Sequence, residues 1–222
     1  MSTQKINIPM LGAFLGGVAA IAAALLSLVN HSTAGAIALN LQKKTNAALE
    51  QVLPKFDNVP SAETVVLRSD LDWPVKYYIA RKGGEIVGYA GEVVTPEGFS
   101  GDVTVMASLK TDGSVDKVIV TANSETPGLG TVVTDRKVQK TIVDLFKGGE
   151  SATGLAPNAY LDWYAGKKAE ADRWSIYKED KGEGINGKTG ATITSRAICG
   201  AVHAIGATAV DHLDQLSTGA EK

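Results

Sequence analysis

The stretch Gly182-Glu183-Gly184-Ile185-Asn186-Gly187-Lys188-Thr189-Gly190-Ala191-Thr192-Ile193-Thr194-Ser195 carries two readings that lead to different folds. In one frame, Gly182 to Thr189 fits G-x-x-x-x-G-K-[ST]. Backbone N–H groups then wrap a nucleotide's phosphates, Lys188 reaches them and Thr189 ligates magnesium. That frame needs a buried apolar strand ahead of it, but Tyr177 is followed by the polar run Lys178-Glu179-Asp180-Lys181. The chain after Thr192 reads as one helix and a tail, with no strand for the acidic partner of magnesium. A P-loop NTPase therefore stands only as an alternative. In the other frame, Lys188 to Ser195 is a hydroxyl-rich turn that opens the final helix. Gly190 and Ala191 are small enough to let a bulky group approach the backbone. The helix start offers unpaired N–H donors and a positive dipole end, a seat for phosphate, and Lys188 adds a fixed charge. A polar cluster that merely caps the helix is the competing meaning of the same hydroxyls.

Working outward, the final helix is expected from about Thr194 to Leu216, with Ile198, Val202, Ile205, Ala209, Leu213 and Leu216 on one face. Upstream, Val75–Ala80 and Glu85–Val94 flank Arg81-Lys82-Gly83-Gly84, a hairpin signal. Asp102–Leu109 and Val115–Thr121 flank a second turn around Asp112-Gly113. Thr134 is expected to open an amphipathic helix carrying Val138, Ile142, Leu145 and Phe146, closed by Lys147-Gly148-Gly149. A further strand is expected around Trp174–Tyr177. Strands followed by helices on one side read as α+β with an antiparallel sheet and flanking helices.

A second candidate loop, Ser124-Glu125-Thr126-Pro127-Gly128-Leu129-Gly130-Thr131, joins a strand to a helix. Pro127-Gly128 dictates a sharp turn with Gly128 at positive φ. Leu129 then stands between two glycines as an apolar tip suited to a flat ring. An ordinary connecting loop explains the same residues.

The charges are unevenly placed. Of 22 basic residues only Lys5 precedes Lys43, and all 24 acidic residues follow it. Pro9 to Val29 is an unbroken apolar run, long enough at roughly 20 residues to cross a bilayer core of about 30 Å as a helix. Gly12 and Gly16 form a G-x-x-x-G face for another helix, or are simply small residues of the kind such helices favour. A cleaved signal peptide ending at Ala34-Gly35-Ala36 is the competing reading, but its apolar region is usually shorter. Lys5 on one side and Lys43, Lys44 and Lys55 on the other leave the orientation open. Ala38, Leu41, Thr45, Ala48 and Val52 form a mildly apolar stripe that Pro54 ends. The expected organisation is a short tail over 1–8, an anchor over 9–30, a stalk helix over 31–54 and one domain over 55–222.

Near-balanced charge excludes a strongly basic nucleic-acid binder, so no nucleic-acid partner is expected. Cys199 is the lone cysteine and reads as a packed core thiol. His31, His203 and His212 have no companions at ligand spacing, so no metal is assigned.

Taken together, these residues resemble the FMN-binding proteins of two membrane complexes: the G subunit of the Rnf complex and the C subunit of sodium-pumping NADH:quinone reductase. The matching pieces are the N-terminal anchor, a stalk ending Val52-Leu53-Pro54, Gly88-Tyr89-Ala90-Gly91, Glu125-Thr126-Pro127-Gly128-Leu129-Gly130 and Thr189-Gly190-Ala191-Thr192. Thr-Ile-Thr-Ser-Arg-Ala after Gly190-Ala191 is closer to the Rnf protein, which leaves the quinone-reductase protein as the alternative within the family. The resemblance implies a single FMN-binding domain behind a transmembrane helix, and one covalent FMN per chain. A separate flavin transferase, using FAD, would join that FMN to Thr192 through a phosphoester. It further implies Lys188, Thr189, Gly190 and Ala191 around the phosphate, and Thr126, Gly128 and Leu129 near the isoalloxazine or ribityl chain. Glu125 is expected to hydrogen-bond local backbone and bias the one-electron state. Asn186 stands where the family pattern carries an acidic residue, and Asn123-Ser124 where it often has a histidine. The implied function is electron relay in an ion-translocating ferredoxin:NAD⁺ oxidoreductase, with no general base or nucleophile of its own. The other Rnf subunits, membrane subunits among them, are the implied partners. The implied place is the cytoplasmic membrane, single-pass, with the domain on the outer side. A secreted binding module without cofactor is the remaining alternative.

Overall fold

The computed structural model describes residues 8–136, 155–169, 174, 176–177 and 185–218. It divides at Lys44 and Thr45 into an N-terminal unit and a compact unit. Helix α1 spans Ile8–Val52. In the N-terminal unit its side chains are exposed all round, including Phe14, Leu15, Leu26 and Leu41. Its stretch from Pro9 to Val29 carries no charge and is apolar on every face, which suits lipid rather than water, and the helix is long and apolar enough to cross a membrane.

The compact unit is built on a five-stranded antiparallel meander in chain order. Its strands are β1 (Thr64–Arg68), β2 (Pro74–Lys82), β3 (Glu85–Thr95), β4 (Val103–Leu109) and β5 (Val115–Ala122). The β2–β3 hairpin closes with Lys82 opposite Glu85. Gly83 and Gly84 both take positive φ, as the tight two-residue turns that match strand twist require. In the β4–β5 turn Gly113 takes φ of +82°, and Asp112 accepts from the Ser114 backbone and hydroxyl at 2.9 and 2.7 Å.

Side chains of a strand alternate between the two faces of its sheet, and both faces here are covered. On one, Val75, Tyr77, Ile79, Tyr89, Val93, Val105 and Ala107 meet Ile198, Val202 and Ile205 of the long C-terminal helix α4 (Thr192–Asp211). On the other, Tyr78, Ala80, Ala90, Met106 and Ile119 meet Ala48, Leu49 and Val52 from the end of α1 and Leu53 just after it. The register of α4 on the sheet is fixed at Gly91. A Cβ there would collide with Ile205 and lie 3.0 Å from Tyr77 Cε1. Beside it, Tyr77 Oη donates 2.6 Å to the Ile205 carbonyl.

Shorter elements complete the unit: a 3-10 turn at Pro60–Ala62, α2 (Thr131–Thr134), α3 (Ala159–Asp162), α5 (Leu213–Thr218), and a parallel pair, β6 (Ile176–Tyr177) and β7 (Ile185–Asn186). Asn158 caps α3, accepting from the Tyr160 and Leu161 backbone N–H groups at 3.0 and 3.2 Å.

The α+β reading with an antiparallel sheet is borne out, and four strands fall within a residue or two of expectation. Strand β1 is an addition to it. Two helices differ. Thr134 ends a single turn instead of opening a helix, because Asp135 is already extended (φ −91°, ψ 132°); Val138, Ile142, Leu145 and Phe146 lie outside the described residues. The C-terminal helix starts at Thr192 and breaks at His212 before Leu213 resumes. Cys199 is buried, its Sγ 3.6 Å from the Trp174 carbonyl.

Candidate functional site

The two candidate loops, more than sixty residues apart in sequence, meet at one cleft at the N-terminal end of α4. Each is a tight turn with glycine third. Leu129 N–H donates to the Thr126 carbonyl at 3.1 Å across Pro127-Gly128, and Gly128 takes φ of +80°, as expected. Ala191 N–H donates to the Lys188 carbonyl at 2.9 Å across Thr189-Gly190, and Gly190 takes φ of +83°. Side chains other than glycine rarely adopt this conformation, so glycine is required at both turns. The turns touch: a Cβ on Gly190 would sit 3.3 Å from Leu129 Cδ2.

What locks them together is Glu125. It is buried, 6% exposed, and its carboxylate is fully engaged. Oε2 accepts 2.9 Å from the Thr194 hydroxyl in the first turn of α4. Oε1 accepts from the Phe99 backbone N–H at 2.8 Å and from Ser100 N–H at 3.3 Å. The expectation that Glu125 serves local backbone is thereby corrected, since its carboxylate acceptances come from 25, 26 and 69 residues away. Two glycines make room for it. A Cβ on Gly130 would collide with the carboxylate, and one on Gly98 would lie 3.0 Å from Oε1.

The cleft has a volume of about 240 Å³ and is lined by Phe99, Glu125, Thr126, Leu129, Gly130, Gly190, Ala191, Thr192, Ile193 and Thr194. Phe99, Leu129 and Ile193 are 66%, 51% and 49% exposed. Three large apolar side chains held open around one hollow form a platform for a flat apolar group. The hollow is somewhat smaller than the roughly 300–1,000 Å³ typical of ligand pockets.

Thr192, which also lines the cleft, is the first residue of α4 and is part-exposed. Its helix starts without a side-chain cap, because Ala191 at the N-cap offers no acceptor. The first-turn N–H groups and the positive dipole end are therefore presented to whatever lies beside the Thr192 hydroxyl. Behind it, the α4 start is pinned by Tyr160, whose Oη donates 2.6 Å to the Ser195 carbonyl. Burial holds the Tyr160 phenol above its ordinary pKa, so it stays a donor.

Of the expected site residues, Glu125, Thr126, Leu129, Gly190, Ala191 and Thr192 line the cleft. Lys188 and Thr189 are exposed on the adjoining turn, and Gly128 shapes its turn without reaching the lining. Gly88-Tyr89-Ala90-Gly91 is not part of the site: it lies within β3, where Gly91 serves packing against α4. Gly98-Phe99-Ser100-Gly101 is the part of the site that sequence reasoning misses. It repeats the Gly-aromatic-x-Gly spacing of residues 88–91 and follows Pro96, a turn signal that could have marked it as the loop.

The P-loop frame finds no support among the described residues. Ile185–Asn186 is a two-residue strand outside the main sheet, that sheet is antiparallel throughout, and the helix begins three residues after Thr189. Among the described residues no group of three His, Cys, Asp or Glu is placed to hold a metal ion.

The family model described as FMN-binding domain matches residues 98–205, a span that begins at the Gly98 loop and includes both turns. Over 205 residues the chain is 30% identical to the G subunit of the Na(+)-translocating ferredoxin:NAD(+) oxidoreductase complex of Acetobacterium woodii, covering 87% of each. It is 31% identical to the G subunit of the ion-translocating oxidoreductase complex of Cereibacter sphaeroides, covering 86% of this chain and 80% of that one. Against the protein of the same name from Shewanella loihica it is also 31% identical, covering 90% and 88%.

Proposed function

This chain belongs to the family of G subunits of ion-translocating oxidoreductase complexes, and from that premise we propose that it is a membrane-anchored flavoprotein relaying electrons within such a complex, with one FMN joined to Thr192. The observation that carries the reading is the Glu125–Thr194 hydrogen bond. It brings a ring platform and a phosphate seat, far apart in sequence, onto one cleft.

The residues fit the parts of FMN. The Thr192 hydroxyl sits at an uncapped helix start, where N–H groups and dipole stabilise phosphate negative charge. Lys188, exposed just before the turn, adds a positive charge. Gly190, with no Cβ, lets the phosphoester lie against the backbone, and Ala191 keeps the helix start narrow. Leu129 and Thr126 contact the ring or the ribityl chain. FMN, when bound, supplies one- and two-electron chemistry, while the protein supplies attachment and orientation. Attachment by a flavin transferase joins Thr192 Oγ1 to the flavin phosphate, breaks the pyrophosphate of FAD and releases AMP. Asn186 in place of the family's acidic residue is compatible with this, since an amide keeps the hydrogen-bonding shape.

The helix of the N-terminal unit anchors the protein in the cytoplasmic membrane by a single span with the cleft-bearing domain on the outer side, held close to the other subunits. Tethering suits an electron carrier that must stay within reach of fixed partners. The test is the absorbance spectrum of the full chain, purified in detergent after expression with a flavin transferase. Flavin bands that survive denaturation and gel filtration are expected. Nucleotide binding by a colourless protein would favour the P-loop reading instead.

A further inference from the structure

The least explained side chain at the cleft is Phe99. It is the most exposed of the three large apolar residues in the lining, at 66%. Exposure of a lone aromatic on a loop is ordinary in itself; the way this loop is held is what matters. Its backbone is tied by two N–H donations to the buried Glu125 carboxylate, at 2.8 and 3.3 Å. Gly98 is packed so closely that a Cβ would collide with the Gly101 carbonyl and lie 2.7 Å from Val103 Cγ2. Gly101 closes the loop at φ of +116°. The chain thus uses two glycines and a buried carboxylate to hold one phenyl ring in place at the rim of a hollow.

From this we infer that Phe99 is a third wall of the flavin site, packing against the isoalloxazine that Leu129 also supports. The inference rests on the flavin reading above. Glu125 is then a positioning residue with two outputs: one oxygen sets the helix start that carries Thr192, the other sets the ring wall. Two aliphatic side chains and one aromatic around a flat ring provide apolar cover on its body.

The test places an electron-rich ring at position 99 of the full-length, flavinylated protein. An indole in contact with an excited flavin donates an electron and quenches its fluorescence; an indole far away does not. Phe99→Trp should lose most of its flavin fluorescence relative to wild type, whereas Val66→Trp, on the edge strand β1 and outside the cleft lining, should keep it. Phe99→Ala should make the flavin more accessible to iodide, read as a steeper quenching slope than wild type. Equal fluorescence in the two Trp variants, with flavin attached to both, or an unchanged iodide slope in Phe99→Ala, overturns the role of Phe99 and leaves the flavin reading intact. Absence of the flavin mass from wild type overturns that reading, and the role of Phe99 falls with it.

Discussion

Replacing Glu125 tests whether one carboxylate joins the two halves of the site. In Glu125→Ala the Thr194 hydroxyl, which is buried, loses its acceptor, and the Phe99 and Ser100 N–H groups lose theirs. Hydrogen bonds to a charged group contribute about 1.5–3 kcal/mol each. The two loop N–H groups can rehydrate at the cleft, so the expected loss is about 3 kcal/mol rather than the full sum. For a domain of this size that corresponds to a fall of roughly 6–12 °C in melting temperature. Glu125→Gln should cost only about 1 kcal/mol: its carbonyl keeps the Phe99 bond and its amide donates to Thr194 Oγ1.

The assay is urea unfolding of the full chain in detergent micelles at neutral pH, followed by tryptophan fluorescence. Thr194→Val and the double variant Glu125→Ala/Thr194→Val complete a cycle, with an expected coupling of about 1–2 kcal/mol. Glu125→Gln as stable as wild type together with a coupling near zero would show that the carboxylate only fills space.

Further outcomes follow from the same packing. Gly91→Ala should destabilise by about 2 kcal/mol through overpacking against Ile205 and Tyr77, seen as a lower urea midpoint with unchanged slope. Burial raises the phenol pKa of Tyr77, Tyr160 and Tyr164 in the folded protein. A raised folded pKa gives stability that is complete below the unfolded value near 10 and lost as pH climbs above it. Each of these tyrosines then contributes a decline of about 1.4 kcal/mol per pH unit. Alkaline titration should show their tyrosinate absorbance appearing together with unfolding; tyrosinate from all three in a still-folded protein would contradict the burial argument.

Much of this architecture is written locally. Hairpin glycines at 83, 84 and 113, alternation through β2 to β5 and the apolar face of α4 each follow from short-range rules, and the structure agrees with them. The turn at Pro127-Gly128 is legible for the same reason. What escapes the sequence depends on distant contacts. β1, whose Val66 lies exposed at the sheet edge, carries little apolar alternation of its own and is defined by pairing with β2. The role of Gly91 is visible only when Ile205 lies over it. Two Gly-aromatic-x-Gly stretches ten residues apart share one pattern, and only Pro96 ahead of the second distinguishes the loop from the strand. The partners of Glu125 are likewise hidden, because nothing near it in sequence announces Phe99 or Thr194. Thr134 misleads because a threonine followed by aspartate reads as a helix start, whereas Val133 and Thr134 are already buried at the end of a turn.

Electron relay by a tethered flavin depends on Thr192 as the point of attachment. Tandem mass spectrometry of peptides from the full chain, co-expressed with a flavin transferase, addresses it directly. The peptide containing Thr192 should carry the mass of FMN less water, with fragment ions assigning it to that residue, and Thr192→Ala should carry none. Covalent flavin retained by Thr192→Ala, or mapped to Thr189 or Thr194, would contradict the assignment.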